Sequence, residues 1–326
     1  MDYELRRFEK KSAPGRAEDL EAVLALADEV RRDPRHWRII YACHEQGFWR
    51  KFELPAPNSI RQLYVGGRFL LAPMFRALEF CTPFGVVIFD RGRARAFVVR
   101  GKEIQEFTGR MPMENLELHI RDSRIARAQH VDRHMEEHVE AYFKELAANV
   151  REFLAEEKLQ QIVFGCREDV WGEAEQELAG FERAVLIGRF APADYGMPAE
   201  DVREAAYPIF EENRRQSGAA LLQKIRDDPA HGAVGVNPVM ERLIEGRVQK
   251  LVLGKPVEGT VSACGNCERL QPHSDAPCMF CGNTALHDLA ADEGLIRQAV
   301  ITDAEILTFD ENEIQDFRGA AAWLRY

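Results

Sequence analysis

Long apolar runs are missing from this chain. Nowhere does it hold the roughly 20 consecutive apolar residues that a membrane helix needs, which argues against a membrane-spanning protein. The first ten residues, MDYELRRFEK, contain no apolar core of the kind a secretory signal carries, so a cytoplasmic protein is expected. A positive balance is missing too. The net charge of −11 argues against a protein that coats DNA through its global field. It leaves room for a local basic surface on an acidic body. Internal repeats and low-complexity stretches are absent. Gly254-Lys255 has no glycine at the phosphate-loop spacing, since residue 249 is Gln. Neither a nucleophile elbow nor a dinucleotide fingerprint occurs.

What is present suits two or three domains: 326 residues, 46% of them hydrophobic and 30% charged. Cut at residues 80 and 180, the chain carries formal charges of +2, −5 and −8. The first part reads as a helix over 17–32 followed by a strand over 37–42. The middle part opens with three strand candidates, 86–90, 94–100 and 103–107, separated by Arg91-Gly92 and Gly101-Lys102 turns, an antiparallel meander. A polar stretch leads into a helix over 132–157. Its apolar stripe is Met135, Val139, Tyr142, Phe143, Leu146, Val150, Phe153 and Leu154. A strand at 161–164 and a helix near 171–178 follow. The last part alternates strands and helices, with a long helix from Pro198 that Pro208 is expected to kink. The fold class expected is multi-domain α/β. A central strand-meander-plus-helix domain is followed by a C-terminal α/β/α sandwich with an inserted zinc ribbon.

Four of the seven cysteines form two C-x-x-C pairs, Cys264/Cys267 and Cys278/Cys281, ten residues apart. Two such knuckles can offer four thiolates to one tetrahedral Zn2+, a closed and therefore structural site. Disulfides and an iron–sulfur cluster are the other readings of this spacing. Cys43, Cys81 and Cys166 read as small buried hydrophobes.

Two further clusters stand out. His134-Met-Glu-Glu-His138 fits a zinc-peptidase pattern, with both histidines on one helix face, against the simpler reading of a solvated charged face. Just before it, Arg121, Arg124, Arg127 and Arg133 face only Asp122 and Asp132, and His119, His130 and His134 add donors. Arginine offers paired donors to phosphate and a flat face for bases, against the simpler reading of a solvated helix start with incidental charge. The meander contributes Arg91, Arg93, Arg95, Arg100 and Lys102, either an RNA-facing surface or simply an exposed sheet.

Residues 235–253, with a helix ending at Gly246 and then a strand, resemble the C-terminal domain of archaeal and eukaryotic class-1 release factors and their relative Pelota. The knuckles follow that strand as in several archaeal members. The ending Phe317-Arg-Gly-Ala-Ala-Ala-Trp-Leu-Arg-Tyr326 is similar as well. The middle part resembles the family's central domain, and Gly66-Gly67-Arg68-Phe69-Leu70-Leu71-Ala72-Pro73-Met74 resembles a segment of its bacterial branch. The resemblance implies three domains: a divergent 1–80 segment, a central release-factor-like domain at 81–180, and a Pelota-like domain at 181–326 with knuckles at 260–284.

The chain departs from the family at one place. True release factors carry Gly-Gly-Gln before the long helix, where it positions water against peptidyl-tRNA. Here the tripeptide occurs nowhere, and the corresponding stretch reads Asp122-Ser-Arg-Ile-Ala-Arg-Ala-Gln129-His130. The resemblance therefore implies a ribosome-binding translation factor that occupies the A site without catalysis, in hibernation, stalling or rescue. Its partners would be ribosomal RNA, through Arg121, Arg124, Arg127, Gln129, His130 and Arg133, and elongation factor Tu or a related GTPase. A divergent peptidyl-tRNA hydrolase using Gln129 is the alternative, and a zinc peptidase through His134 and His138 a remote one.

Overall fold

The computed structural model describes residues 14–25, 36–55, 64–111, 128–178, 180–181, 185–254, 257–309 and 314–326, with side chains of 14–17, 36–38, 54–55, 79, 128–137 and 315 outside the description. The chain divides into two compact units. A central unit comprises Cys81–Arg214, and a bipartite unit combines Met1–Phe80 with Arg215–Tyr326.

The central unit is built on a five-stranded sheet. Its strands are β3 (Pro83–Phe89), β4 (Ala94–Arg100), β5 (Glu103–Glu106), β6 (Ile162–Gly165) and β7 (Leu186–Phe190), in the order β5-β4-β3-β6-β7. The first three pair antiparallel as the expected meander, while β6 and β7 run parallel to β3. Both faces are covered, which explains why Phe84-Gly-Val-Val-Ile-Phe89 reads as a continuous apolar run rather than an alternation. One face places Val87, Phe89, Ala96, Val98 and Phe164 under helix α3 (Ala128–Glu156) and helix α4 (Glu168–Leu178). The stripe Tyr142, Phe143, Leu146, Val150 and Phe153 is fully buried there. Gly85 belongs to this contact, because a Cβ on it would stand 2.9 Å from the Phe153 ring. The other face sets Phe84, Val86, Ile88, Phe97 and Val99 against Val202, Ala206 and Phe210. Phe84 and Phe210 stack with centroids 4.3 Å apart.

Those last three residues lie on helix α5 (Ala199–Asp227), which is continuous through Pro208. Its residues to Arg214 belong to the central unit and the remainder to the bipartite unit.

The bipartite unit contains the expected α/β/α sandwich. Strands β8 (Gly232–Val234), β9 (Val248–Leu253), β13 (Glu305–Thr308) and β14 (Ala320–Leu324) form one sheet in the order β13-β9-β14-β8. Alternation divides its side chains. Leu251, Leu253, Ala320 and Ala322 meet helix α6 (Val236–Ile244) and helix α7 (Ala291–Ile301). Val252 and Ala321 meet Leu222 and Ile225 from the end of α5. Between β9 and α7 lies a three-stranded ribbon of β10 (Thr260–Cys264), β11 (Leu270–Gln271) and β12 (Leu286–Ala290).

The chain before residue 80 adds helix α1 (Pro14–Ala25), hairpin strands β1 (His36–Cys43) and β2 (Phe48–Pro55), and helix α2 (Ala72–Phe80). β2 and α2 have no counterpart among the elements expected from the sequence. Ala72 packs in the same core as Leu243 and Leu295, so α2 is part of the sandwich unit.

Candidate metal centre

Each C-x-x-C pair sits on a tight knuckle. In the first, Glu268 N–H donates to Cys264 O at 3.0 Å. In the second, Gly282 N–H donates to Cys278 O at 2.8 Å. Both knuckles close on a left-handed residue, Glu268 at φ 61° and Gly282 at φ 72°, so the second uses the residue for which that conformation is free. Strand β10 delivers the first knuckle and the loop before β12 delivers the second.

The four sulfurs converge, all within 4.8 Å of one another. Cys264 and Cys281 stand 3.6 Å apart, as do Cys267 and Cys278. Four thiolates at the usual Zn–S length of about 2.3 Å span a tetrahedron with edges of about 3.8 Å. The cysteines are free thiols, so the disulfide reading does not describe this structure. The donor set and its spacing fit a closed tetrahedral ion. Among the described residues this is the one group of three or more His, Cys, Asp or Glu side chains close enough to hold a metal.

The thiols are unequal. The Asn283 backbone N–H first, and the Asn266 side chain second, bring Cys281 down to about 6. Backbone donors also lower Cys264. Cys267 receives the Arg269 backbone donor, but burial and the neighbouring thiols push it up to about 11. Cys281 is the exposed member, while Cys264 and Cys278 are buried.

Polar contacts fix the ribbon in its unit. The buried Gln271 accepts from Met279 N at 2.9 Å through its Oε1. Asn237, at the start of α6, accepts from His273 N at 3.0 Å. His273 Nδ1 stands 3.2 Å from both Thr260 Oγ1 and Asp288 Oδ1. Arg68 donates to Glu268 O at 3.2 Å. The guanidinium of Arg269 lies 4.9 Å from the Phe280 ring, joining the knuckles.

A second polar centre has no sequence signal. Glu293, on α7, is 1% exposed, and its Oε2 accepts from Leu71 N (2.7 Å) and Ala72 N (2.9 Å). Those are the free amides at the start of α2. Arg297 Nε lies 2.6 Å from Glu293 Oε1, and Arg297 also donates to Phe69 O. Arg76 pairs with Asp292 at 2.8 Å, and Tyr41 donates to Leu70 O at 2.7 Å.

The arginines of the meander are engaged within the central unit. Arg91 chelates Glu173 at 2.9 and 2.7 Å and reaches Asp169 at 3.2 Å. Arg93 pairs with Asp90. Arg95 chelates Glu106 at 2.7 Å, donates to Tyr195 O and Met197 O at 3.0 Å, and lies 4.8 Å from the Phe97 ring. Arg100 stands 3.5 Å from Glu157. Arg121, Arg124 and Arg127 lie outside the described residues, and Gln129, His130, Arg133 and His134 are on α3 with side chains outside the description. His138 is exposed on the same helix. Cys166 is buried, and burial raises its thiol to about 11; Cys43 and Cys81 are only half-buried.

Residues 70–211 match the family model of bacterial archaeo-eukaryotic release factor family 10. No curated protein matches the chain. Among solved structures, an archaeal Pelota from a ribosome-bound assembly with ABCE1 is 15% identical over 89% of this chain and 78% of its own, with a TM-score of 0.48. Dom34 of S. cerevisiae, a translation termination-like factor involved in RNA quality control pathways and interacting with Hbs1, is 11% identical. That match covers 89% of this chain and 79% of Dom34, with a TM-score of 0.47. Archaeoglobus fulgidus Pelota is 14% identical over 89% and 79%, with a TM-score of 0.39.

Proposed function

We propose, from a central segment that matches a bacterial release-factor family, that this protein is a ribosome-binding translation factor that occupies the A site without cleaving peptidyl-tRNA. The observation that carries the reading is the pairing of that match at residues 70–211 with the absence of Gly-Gly-Gln anywhere in the chain. The factor acts on stalled or resting ribosomes, in hibernation or rescue, and a GTPase of the elongation factor Tu class delivers it. The central unit, Cys81–Arg214, is then the part that reaches RNA, and the bipartite unit the part that meets the GTPase. Zn2+ is the ion proposed for the four cysteines, in a structural role.

The internal pairing of the meander arginines narrows the RNA contact. Arg91, Arg93, Arg95 and Arg100 already face carboxylates. The proposed contact is therefore Arg121, Arg124, Arg127, Gln129, His130 and Arg133, touching phosphate and unstacked bases. Sedimentation with 70S ribosomes tests this. Binding is expected at low salt, weakening as salt rises and on replacing Arg121, Arg124 and Arg127 with Ala. Gln129→Ala, which removes no charge, should weaken it far less than the triple arginine change. Binding indifferent to salt and to the triple change would overturn the arginine contact. Peptidyl-tRNA cleavage abolished by Gln129→Ala would replace the non-catalytic reading with a hydrolase.

A further inference from the structure

We infer that Asn266 is the positioning residue of the four-cysteine centre, tying its two knuckles together through sulfur and holding the exposed Cys281 thiolate on the metal. The inference rests on the reading of the cluster as a zinc site.

Asn266 lies inside the first knuckle, between Cys264 and Cys267. Its backbone N–H donates to Cys264 Sγ at 3.4 Å, a bond that stays within its own knuckle. Its side-chain Nδ2 crosses the site and donates to Cys281 Sγ at 3.7 Å. One residue thus places N–H groups on two of the four sulfurs, one from each knuckle. The matching place in the second knuckle is Phe280, whose side chain has no donor. The centre is therefore lopsided, with its cross-knuckle side-chain donor directed at the ligand most open to water.

An N–H donor aimed at a thiolate stabilises the charged, metal-binding form and withdraws electron density from sulfur. It lowers the tendency of that sulfur to take a proton, to be alkylated, or to leave the ion. Buried thiolates are shielded from such attack by their surroundings. Cys281 is exposed, so the Asn266 side-chain bond bears directly on its retention. Partners that orient metal ligands from outside the coordination sphere typically change metal affinity by 10–100-fold.

The experiment uses the full chain loaded with Zn2+. Zinc transfer to a chelating dye is timed for the wild type, Asn266→Ala and the nearly isosteric Asn266→Asp. Iodoacetamide labelling of each cysteine is mapped by peptide mass spectrometry. Loss of zinc is expected to be about tenfold or more faster in both variants, with extra label concentrated on Cys281. The sulfur-to-metal charge-transfer band of the cobalt-substituted protein should shift with it. Wild-type release in Asn266→Ala, wild-type behaviour in Asn266→Asp, or extra label spread evenly over all four cysteines would overturn the inference. Even labelling would mark Asn266 as ordinary loop structure. A wild-type chain that takes up no zinc would instead overturn the metal reading itself.

Discussion

In the central unit, arginines meet carboxylates at partly exposed positions: Arg91 on Glu173, Arg93 on Asp90, Arg95 on Glu106, Arg100 on Glu157. The core beneath them is a continuous apolar cluster on either face of the sheet. In the bipartite unit a carboxylate is buried outright. Glu293 is 1% exposed and joins parts of the chain more than 200 residues apart. The ribbon of that unit has little apolar core of its own and gathers four sulfurs in place of one. Exposed ion pairs contribute on the order of 0–1 kcal/mol each. A buried carboxylate whose partners would be stranded without it is a different quantity. The central unit is held by burial and merely trimmed by charge, whereas the bipartite unit adds defined buried polar points to apolar clusters of its own.

The sharpest way to break that contrast is Glu293→Ala. It strands the Leu71 and Ala72 amides and leaves Arg297 facing an apolar gap. Removing one partner from a buried charged contact costs roughly 3–5 kcal/mol. Hydrogen exchange should show those two amides opening by two orders of magnitude or more, while Val86 and Val163 keep their protection. Glu293→Gln retains an acceptor and should fall between. Unchanged exchange at Leu71 and Ala72 would mean that apolar packing of Ala72 alone seats α2.

A smaller effect is expected at Arg95, the least surface-like of the meander arginines. Its guanidinium chelates Glu106 and also holds the carbonyls of Tyr195 and Met197. Arg95→Met loses all four bonds together with the guanidinium over the Phe97 ring. Hydrogen bonds to charged groups contribute about 1.5–3 kcal/mol where partly buried, and solvent screening puts this site at the lower end. Urea unfolding followed by a probe in the central unit should move by roughly 1–2 kcal/mol. A shift as large as that of Glu293→Ala would erase the distinction between the units.

These differences explain what could be read in advance. Helix α3 was legible because Tyr142, Phe143, Leu146, Val150 and Phe153 repeat at helical spacing, and the meander because its turns are marked by Arg91-Gly92 and Gly101-Lys102. The cysteine centre was legible because metal ligands come in chain-local pairs. Glu293 was not. Beside Asp292 in the first turn of α7 it looks like ordinary acidic decoration of a helix start. Its partners are backbone amides, which carry no residue identity, and they come from the far end of the chain. Strand β2 is hard to read from sequence because Phe48-Trp-Arg-Lys-Phe-Glu53 breaks strict alternation. Helix α2 carries a start signal in Pro73, a normal residue for a first helical turn, but at nine residues it is too short to show a clear helical period. Asn266 carries no sequence signal of its own, since only the fold brings its side chain to Cys281.

The smallest expected effect is also the cleanest on charge alone. Asp169 is fully exposed and is held at about 2 by the Arg167 hydrogen bond first and then by the Arg167 and Arg91 charges. A carboxyl depressed in the folded state adds stability above its ordinary value of 3.8, and that contribution disappears as pH falls from about 4 to about 2. Asp169→Asn removes the titrating group. It should therefore flatten the acid limb of the central unit's urea midpoint between pH 4 and pH 2 and lower the midpoint slightly at pH 7. Raising salt should shrink the difference, because both arginines are open to solvent. An acid limb identical in wild type and variant would show that these surface pairs leave the unit's stability untouched, so that its apolar faces account for all of it. A steep limb abolished by the single change would place a charge-dependent joint in the central unit after all.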